Sequence, residues 1–206
     1  QGNQWSRFSL GGLYQNGWGV KQDYAEAARW YRMAADQGNH QAMNSLAWLY
    51  WNGWGVKQDY AASAKLYRAA ADAGEPGGQH GLASLHYFGL GVKLDYAEAA
   101  RLWQKSAEAN FPWAPWGLGS LYRGGLGGFP KDYAQAIKWF KTGVERGDLI
   151  NAATGLGVAY ENGEGVAQDF VEAYKWYLLG AARDNSTARE GMNRLFGNRD
   201  RVRLKL

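Results

Sequence analysis

The chain has 206 residues, of which 46% are hydrophobic, and its formal net charge is +4. It contains no cysteine, which excludes disulfide bonds, thiolate chemistry and cysteine-ligated zinc. It has no run of 18 apolar residues, so the sequence predicts no membrane-spanning helix. These totals are compatible with an ordinary globular domain. The fold has to be inferred from the order of the residues.

One short string recurs along the chain. Gly-Val-Lys-Gln-Asp-Tyr-Ala stands at residues 19–25 and 55–61, and weaker copies stand at 91–97, 129–134 and 165–170. The aspartates of these copies recur every 36 or 37 residues, and they are Asp23, Asp59, Asp95, Asp132 and Asp169. Such a period indicates units too small to bury their own apolar face, which stack into a solenoid. It favours a binding scaffold over an enzyme.

Each unit is predicted to form two short helices, and residues 39–74 illustrate the pattern. Apolar residues recur at three- to four-residue spacing from Gln41 to Asn52, which predicts a first helix. Gly53 and Gly55 are expected to end it, because glycine readily takes the left-handed conformation found at helix ends. Asp59 is expected to begin the second helix as its N-cap.

The repeated sequence also predicts where the second helices end and how they pack. In three copies a glutamate follows the capping aspartate three residues later, which predicts a reciprocal capping box (Asp23/Glu26, Asp95/Glu98, Asp169/Glu172). These helices are expected to stop at Gly38, Gly74, Asn110 and Gly147. Small residues recur at one position of each helix, and they predict close approach of helix axes (Gly11, Ala47, Ala83, Gly119, Gly157; Ala27, Ala99, Ala136, Ala173).

The repeated pattern resembles the Sel-one-like repeat family, a relative of the tetratricopeptide repeat. It is carried in the first copy by residues 10–14, Asp23-Tyr24, Trp30-Tyr31 and Ala34-Ala35, and it returns in five copies over nearly the whole chain. The resemblance implies an α/α superhelix that binds proteins or assembles complexes. Some bacterial members of the family are linked to β-lactam binding, but those resemble disulfide-stapled chains, and this chain has no cysteine.

The sequence therefore predicts an all-α fold, a right-handed α/α solenoid of about five helix-pair repeats of 36–38 residues. A single domain is expected over residues 1–196, with repeats at 3–38, 39–74, 75–110, 111–147 and 148–183. Residues 184–196 are expected to form a C-terminal capping helix with Ala188, Met192 and Leu195 on its apolar side. A basic tail, 197–206, follows.

The tail contributes most of the excess positive charge. Arg199, Arg201, Arg203 and Lys205 cluster there with Arg194 just before them. We interpret the tail as a solvated terminus; a contact with nucleic acid or an anionic surface is the alternative. Basic residues do not recur along one face of the repeats, so no nucleic-acid partner is predicted. The compartment is not determined, and the bacterial periplasm or cell envelope is favoured over the cytoplasm on family grounds.

No catalytic or metal-binding constellation is visible. His86 stands where other copies have tyrosine, and His80 has no acidic or histidine neighbour at ligand spacing. Glu161 and Glu164 are expected to be an exposed, solvated pair. The sequence has none of the usual phosphate-binding, serine-hydrolase or zinc-protease motifs. We therefore predict a protein that is not an enzyme and uses no cofactor or metal. A hydrolase or β-lactam-binding protein is the remote alternative. It would need a serine beside a general base, which the repeats do not supply.

The eleven tryptophans are the strongest pointer to a ligand. Trp30, Trp103, Trp139 and Trp176 occupy packing positions of the repeat. The resemblance to the tetratricopeptide unit implies which first-helix positions face the concave side, and most of the other tryptophans fall there. The predicted ligand-binding residues are Trp5, Phe8, Asn44, Trp48, Trp51, Asn52, His80, Tyr87, Phe88, Trp113, Trp116 and Arg123.

Two pairs in this set, Trp48/Trp51 and Trp113/Trp116, are each spaced to share one side of a helix. They predict an aromatic-walled slot across the second to fourth copies, with Trp18 and Trp54 as a possible rim. The predicted function is a protein-interaction scaffold that binds a peptide or protein segment there. A glycan-binding module using the same tryptophans is the alternative. A third interpretation is that the rings pack only against each other.

Overall fold

The structure is a computed structural model that describes residues 3–182 and 185–197. Eleven α-helices and no strand lie in these residues: α1 (Gln4–Asn16), α2 (Tyr24–Ala35), α3 (His40–Asn52), α4 (Tyr60–Asp72), α5 (Pro76–Phe88), α6 (Tyr96–Glu108), α7 (Ala114–Gly124), α8 (Tyr133–Glu145), α9 (Asn151–Asn162), α10 (Phe170–Ala181) and α11 (Ser186–Gly197). The predicted all-α architecture of repeated helix pairs is confirmed.

The helices form two compact units, Gln1–Ala109 and Asn110–Leu206. In the first unit α1 packs on α2, α3 on α4 and α5 on α6, and α2 and α4 also contact the helix that follows them. In the second unit α7 packs on α8 and α9 on α10, while α11 contacts both α9 and α10. Ala188 and Leu195 of α11 are buried with Ala173 and Tyr177 of α10. Residues 198–206 of the predicted basic tail lie outside the described residues.

The helix ends follow the sequence signals. Gly53 has a φ of +72°, which glycine adopts without strain, and its N–H bonds to the carbonyl of Leu49 at the end of α3. Asp59 caps α4, since its carboxylate accepts the N–H of Ala62 at 2.9 Å. The predicted stops of the second helices also have positive φ, at Gly38, Gly74, Asn110 and Gly147. The helix boundaries predicted from the repeat are confirmed.

The capping box is only half formed. Asp95 accepts the N–H of Glu98 as expected, but the Glu98 carboxylate binds Arg101 at 2.7 and 2.8 Å. The N–H of Asp95 donates to the carbonyl of His86 in α5. The same backbone bond joins Asp23 to Tyr14 and Asp169 to Tyr160. The reciprocal capping box was therefore a wrong prediction, because the backbone of the preceding helix already satisfies the N–H that the glutamate would cap.

The repeated glutamine holds the turn between the two helices of a unit. The side-chain N–H of Gln58 donates to the carbonyl of Trp51 at 2.8 Å and to the hydroxyl of Tyr60 at 3.0 Å. Gln22 makes the equivalent pair of bonds, and Gln168 donates to the carbonyl of Glu161. The recurrence of this residue inside the repeated string was visible in the sequence, but its role was not.

The recurring small residues let aromatic rings enter the helix interfaces. A Cβ added at Gly11 would lie 2.5 Å from the ring of Tyr31, and one at Gly119 would lie 2.5 Å from the ring of Phe140. Gly157 stands in the same relation to Tyr177, at 2.6 Å. Van der Waals contact between carbons needs a larger separation, so only glycine fits while these rings stay in place. The predicted close approach of the helix axes is confirmed.

Candidate functional site

Three aromatic rings meet at the end of α3. Trp48 is 37% exposed, and its ring packs edge-on against Trp54 at a centroid distance of 4.5 Å. Trp54, in the turn after α3, is 40% exposed and also contacts Tyr24, the first residue of α2, at 5.0 Å. From the sequence, Trp54 is expected only at the rim of the slot. Its contacts make it the support on which the exposed Trp48 ring rests.

Further rings continue along α3 and α5. Trp51 is half-buried with its ring edge-on to Tyr60 at 5.8 Å. Tyr87, at the equivalent position of α5, is half-buried between Tyr96 at 5.4 Å and Trp103 at 5.3 Å. Phe88 is exposed and lies edge-on to Tyr87 at 5.0 Å. We call Trp48, Trp51, Tyr87 and Phe88, which lie on two contacting first helices, the aromatic surface of the first unit.

The helices that carry this surface have no formal charge. Neither α3 nor α5 contains an aspartate, glutamate, lysine or arginine. Burial lowers the pKa of His80 on α5 to about 4, so this histidine is neutral at physiological pH. The ring of His80 lies 6.3 Å from that of Trp103, in the interior of the α5–α6 pair. The two helices that carry the aromatic surface therefore contribute no charged side chain to it.

The other predicted residues of the first unit differ in their surroundings. Trp5 on α1 is exposed, whereas Phe8 is half-buried and packs against Tyr31 at 5.7 Å. Asn44 is half-buried, with its amide close to Gly77 of α5. The side-chain N–H of Asn52 donates to the carbonyl of Trp48 at 2.8 Å, within its own helix. This bond uses a donor of Asn52 that a ligand could otherwise receive.

The second unit contains the remaining predicted tryptophans. Trp113, at the start of α7, is exposed and lies edge-on to Phe111 at 5.2 Å. Trp116 is half-buried and packs against the core cluster of Ile137, Phe140 and Leu156. The predicted slot joins residues of both units and stays a prediction.

Two ion pairs replace the exposed glutamate pair expected in the second unit. Glu164 binds Arg123 of α7 through two hydrogen bonds of 2.6 and 3.2 Å. Glu161 accepts the Tyr177 hydroxyl at 2.5 Å and the Arg194 guanidinium at 3.0 Å. The prediction of a solvated pair was wrong, because each carboxylate has a cation 33 or more residues away in sequence. Arg123, one of the predicted ligand-binding residues, is held by Glu164.

These pairs lower the pKa of both carboxyl groups. Burial alone would raise the pKa of Glu164, but the hydrogen bonds and charge of Arg123 bring it below its ordinary value of 4.5. Burial also acts to raise the pKa of Glu161. The hydrogen bonds from Arg194 and Tyr177 and the charge of Arg194 outweigh this effect and lower the pKa. Both carboxylates are therefore easier to ionise in the folded chain than in the unfolded chain.

This difference predicts a loss of stability in acid. A carboxyl group with a depressed folded pKa contributes stability above its unfolded pKa and loses it as the pH falls through the folded value. We expect the free energy of unfolding to fall between about pH 5 and about pH 3, by about 1 kcal/mol or less per pair because both pairs are partly exposed. Urea denaturation at both pH values measures this decrease.

A glutamine substitution tests the assignment. Glu164→Gln should remove part of the pH dependence, whereas Glu145→Gln, at an exposed position of α8, should not. An unchanged acid dependence in Glu164→Gln would contradict the assignment of the ion pair.

His86 is a packing residue, as the sequence predicted. It is buried at the position where other copies have tyrosine, and its Nδ1 lies 3.1 Å from the carbonyl oxygen of Lys93. Among the described residues, no three histidine or acidic side chains are grouped so that they could hold a metal ion. No helix in this part of the chain is both long enough and apolar enough to cross a membrane.

Comparisons with known proteins agree with the repeat architecture. The model of the Sel1 repeat family matches residues 6–39, 40–75, 76–111, 116–148 and 150–185. No curated protein matches the chain in a sequence comparison. Among solved structures, c5321, a protective antigen of uropathogenic Escherichia coli strains with an SLR fold, is 35% identical with a TM-score of 0.67. The match covers 92% of this chain but only 40% of c5321.

Two further structures extend the comparison. A Sel1 repeat protein from Oxalobacter formigenes is 29% identical with a TM-score of 0.76, over 92% of this chain and 75% of that one. A sel1 repeat protein from Klebsiella pneumoniae is 24% identical with a TM-score of 0.65, over 93% and 92% of the two chains, and shows the fold alone. Because the family model matches most of the sequence in five consecutive repeats, the resemblance is confirmed and the chain belongs to the Sel1 repeat family.

Proposed function

We propose that this chain is a non-catalytic scaffold that binds an extended, uncharged segment of a partner protein on the aromatic surface of the first unit. Sel1 repeat proteins are generally protein-interaction scaffolds, and the repeat is generally a non-catalytic fold. The side chains of α3 and α5 indicate the position of the proposed site and the kind of segment that it binds.

The exposed Trp48 ring carries the proposal. The repeat does not need an aromatic side chain at this position, because the equivalent residues are Gly12, Ser84, Ser120 and Val158. A large ring that packing does not require, held edge-on by Trp54, is costly to leave in water unless something covers it. Tryptophan is also enriched among the residues that contribute most to binding energy.

The surroundings of the rings indicate the kind of segment. Charged side chains are absent from α3 and α5, so a strongly acidic or basic segment would lose hydration without gaining a partner charge. Apolar side chains of the bound segment would contact the faces of Trp48 and Phe88. The side-chain oxygen of Asn52 could accept a backbone N–H, since this residue donates through its nitrogen to Trp48. An apolar segment with free backbone amides fits these features.

A glycan is the second candidate. Sugar faces can stack on the same rings, and the same uncharged amide side chains suit hydroxyl groups. The lack of formal charge on α3 and α5 favours a neutral glycan as much as an uncharged peptide. Family membership favours the peptide.

The test compares two double variants on a peptide library and a glycan array, followed by titration of the best ligand. Trp48→Ala with Phe88→Ala removes the two most exposed rings of the aromatic surface. We expect its Kd to rise at least about 30-fold, which corresponds to roughly 2 kcal/mol. Affinity capture from the source organism with the same pair of proteins would identify the natural partner.

The matched control is Leu178→Ala with Leu179→Ala, which removes two exposed apolar side chains from α10 in the other unit. It should bind as the unmodified chain does. Equal binding by both double variants would contradict the proposed site. Binding to the glycan array alone, lost in the Trp48/Phe88 variant, would assign the surface to sugars.

A further inference from the structure

The outer side of α10 is apolar where the other second helices are polar. Leu178 and Leu179 are 50% and 42% exposed. The residues at the position of Leu178 in the other copies are all exposed and polar, and they are Arg32, Arg68, Gln104 and Lys141. The helices α2, α4 and α8 each contact the first helix that follows them, so this position faces solvent even inside a stack of repeats. The exposure of Leu178 therefore belongs to the position.

The apolar residues of α10 share one side of the helix. Val171 and Leu178 are seven residues, or two helical turns, apart, and Leu179 adjoins Leu178. Val171 is half-buried, and it takes the place of an alanine in the other four copies (Ala25, Ala61, Ala97, Ala134). Lys175 lies between Val171 and Leu178 and pairs with Glu172 at 2.5 Å. We name Val171, Lys175, Leu178 and Leu179 the outer face of α10.

The packing of α10 involves its other side. Ala173 and Tyr177 are buried in one cluster with Ala188 and Leu195 of α11. The other copies of the repeat fold with a cation or an amide at the position of Leu178, so packing does not explain the leucine. Adjacent exposed leucines on a helix indicate a surface that something else covers.

Cationic side chains lie on the same side of the second unit. Lys138 and Lys141 of α8 are exposed, and they are equivalent to Lys175 and Leu178 of α10. Stacked repeats present equivalent residues to the same side, so these lysines flank the outer face of α10.

The charge on this side is positive on balance. The lysine of α10 is paired with Glu172, but α8 has Gln135 at that position. The one acidic residue of α8, Glu145, is the last residue of the helix. In the sequence, the stretch after α11 adds Asp200 and four basic residues (Arg199, Arg201, Arg203, Lys205). These charges favour an anionic partner over a cationic one.

We infer that the outer face of α10 docks on the surface of an anionic lipid bilayer. Leu178 and Leu179 enter the boundary between headgroups and acyl chains, which removes their exposed area from water. The lysines stay among the lipid phosphates, with their aliphatic stems along the same boundary. Stable docking on a membrane surface draws on both contributions, apolar burial and electrostatic attraction.

A protein partner, including a second copy of this chain, fits the outer face of α10 less well. A stable protein–protein interface covers about 800 Å² on each partner. Two half-exposed leucines and a valine offer apolar surface on the order of 200 Å². A lipid surface needs no matching shape, and it can receive a few leucines on the convex side of a helix.

Vesicle binding tests this docking. Cosedimentation should show that the unmodified chain binds vesicles of two parts phosphatidylcholine and one part phosphatidylglycerol, and that it binds pure phosphatidylcholine at least about 10-fold more weakly. Leu178→Gln with Leu179→Thr should weaken binding to the anionic vesicles at least about 10-fold. Gln104 and Thr142 occupy these two positions in other copies, so the variant is expected to fold.

A charge variant tests the lysines separately. Lys138→Gln with Lys141→Gln should lower the affinity for anionic vesicles several-fold and make it less sensitive to salt. Its charge-matched control is Lys21→Gln with Lys57→Gln, which removes two exposed lysines from turns of the first unit. An equal decrease in both variants would mean that net charge alone attracts the chain, and it would overturn the assignment to this face.

The matched control for the leucines is Leu94→Gln with Val20→Thr. Leu94 and Val20 are 48% and 38% exposed in turns of the first unit, and this variant should bind vesicles as the unmodified chain does. Equal loss in both double variants, or no binding of the unmodified chain to anionic vesicles, would overturn the inference. So would a dimer, seen by light scattering, that Leu178→Gln with Leu179→Thr abolishes. The peptide titrations of the aromatic surface contain no lipid, so Leu178 and Leu179 still serve as the control there.

A fluorescent label gives a second readout. The chain has no cysteine, so Leu178→Cys introduces a single thiol for an environment-sensitive fluorophore. Its emission should shift to the blue with anionic vesicles, because the label enters an apolar region. The same label on Leu94→Cys should not shift. An unshifted emission from position 178 while the chain is bound to vesicles would contradict docking through α10.

Discussion

Replacing Gly55 with alanine is expected to destabilise the first unit by about 3 kcal/mol or more, whereas Gly19→Ala should cost about 1 kcal/mol. The two glycines occupy the same turn of successive repeats, with φ of +67° and +72°. Both variants therefore suffer the strain of an L-residue in the left-handed region. Only at Gly55 does the new Cβ also overlap backbone atoms of Tyr24 and Ala25, at the start of α2.

The overlap matters because it involves main chain. A flexible side chain could rotate away, but Tyr24 and Ala25 are fixed by the first turn of α2, which Asp23 caps with bonds of 2.9 and 3.1 Å. Relief requires the second repeat to move relative to the first, which would open the packing of Leu46 and Leu49 against α2. Equilibrium denaturation in urea gives both free energies.

Gly165→Ala provides an intermediate case in the second unit. A Cβ there would lie 2.8 Å from the carbonyl carbon of Tyr133, a less severe contact. The expected order of destabilisation is Gly55 first, then Gly165, then Gly19. Equal costs at all three positions would mean that the positive φ alone accounts for these glycines, and that repeat stacking places no demand on them.

The helix ends and the close approach of the helix axes were predictable because their causes are local or recur in every copy. Asp59 caps the residues just after it, and Gly53 ends the helix just before it, so each signal lies within a few residues of its effect. The pair of Gly11 and its aromatic partner Tyr31 recurs with a separation of 20 or 21 residues, as Gly119 with Phe140 and Gly157 with Tyr177. Each signal is weak in a single copy, but its recurrence along the repeats was enough to predict the structure.

The ion pairs were not predictable in the same way. Arg123 and Glu164 are 41 residues apart, a separation that carries no periodic signal, since most copies have neither residue at these positions. The capping box failed for a related reason. Its sequence signature is local, but the bond that displaces it comes from the carbonyl of the preceding first helix, such as that of His86.

The candidate site was predictable from the sequence only in part. The exposure of Trp48 and Phe88 agrees with a first-helix position outside the core, which the resemblance to the tetratricopeptide unit implied. The contact of Trp48 with Trp54 depends on how the turn folds back, and the sequence offered only the recurrence of tryptophan at positions 18 and 54. The sequence could therefore propose which rings face outward, but not which ring supports which.

Trp103→Ala is expected to lower the free energy of unfolding by about 3–5 kcal/mol, against about 1–2 kcal/mol for Trp48→Ala. Trp103 is 0% exposed and contacts both His80 and Tyr87, so its removal leaves a cavity in the α5–α6 pair. For a chain of this length, the Tm should fall by roughly 10 °C with Trp103→Ala and by a few degrees with Trp48→Ala.

The comparison separates a ring that holds the fold from one that is available to a ligand. The buried Trp103 ring packs against Tyr87 of the aromatic surface. Trp103→Ala should therefore also weaken binding, because it disturbs that surface, and it should lower the Tm at the same time. Trp48→Ala should weaken binding while most of the stability remains. If Trp48→Ala lowered the Tm as far as Trp103→Ala does, the Trp48 ring would be part of the core, and the proposed binding surface would lose the residue that carries it.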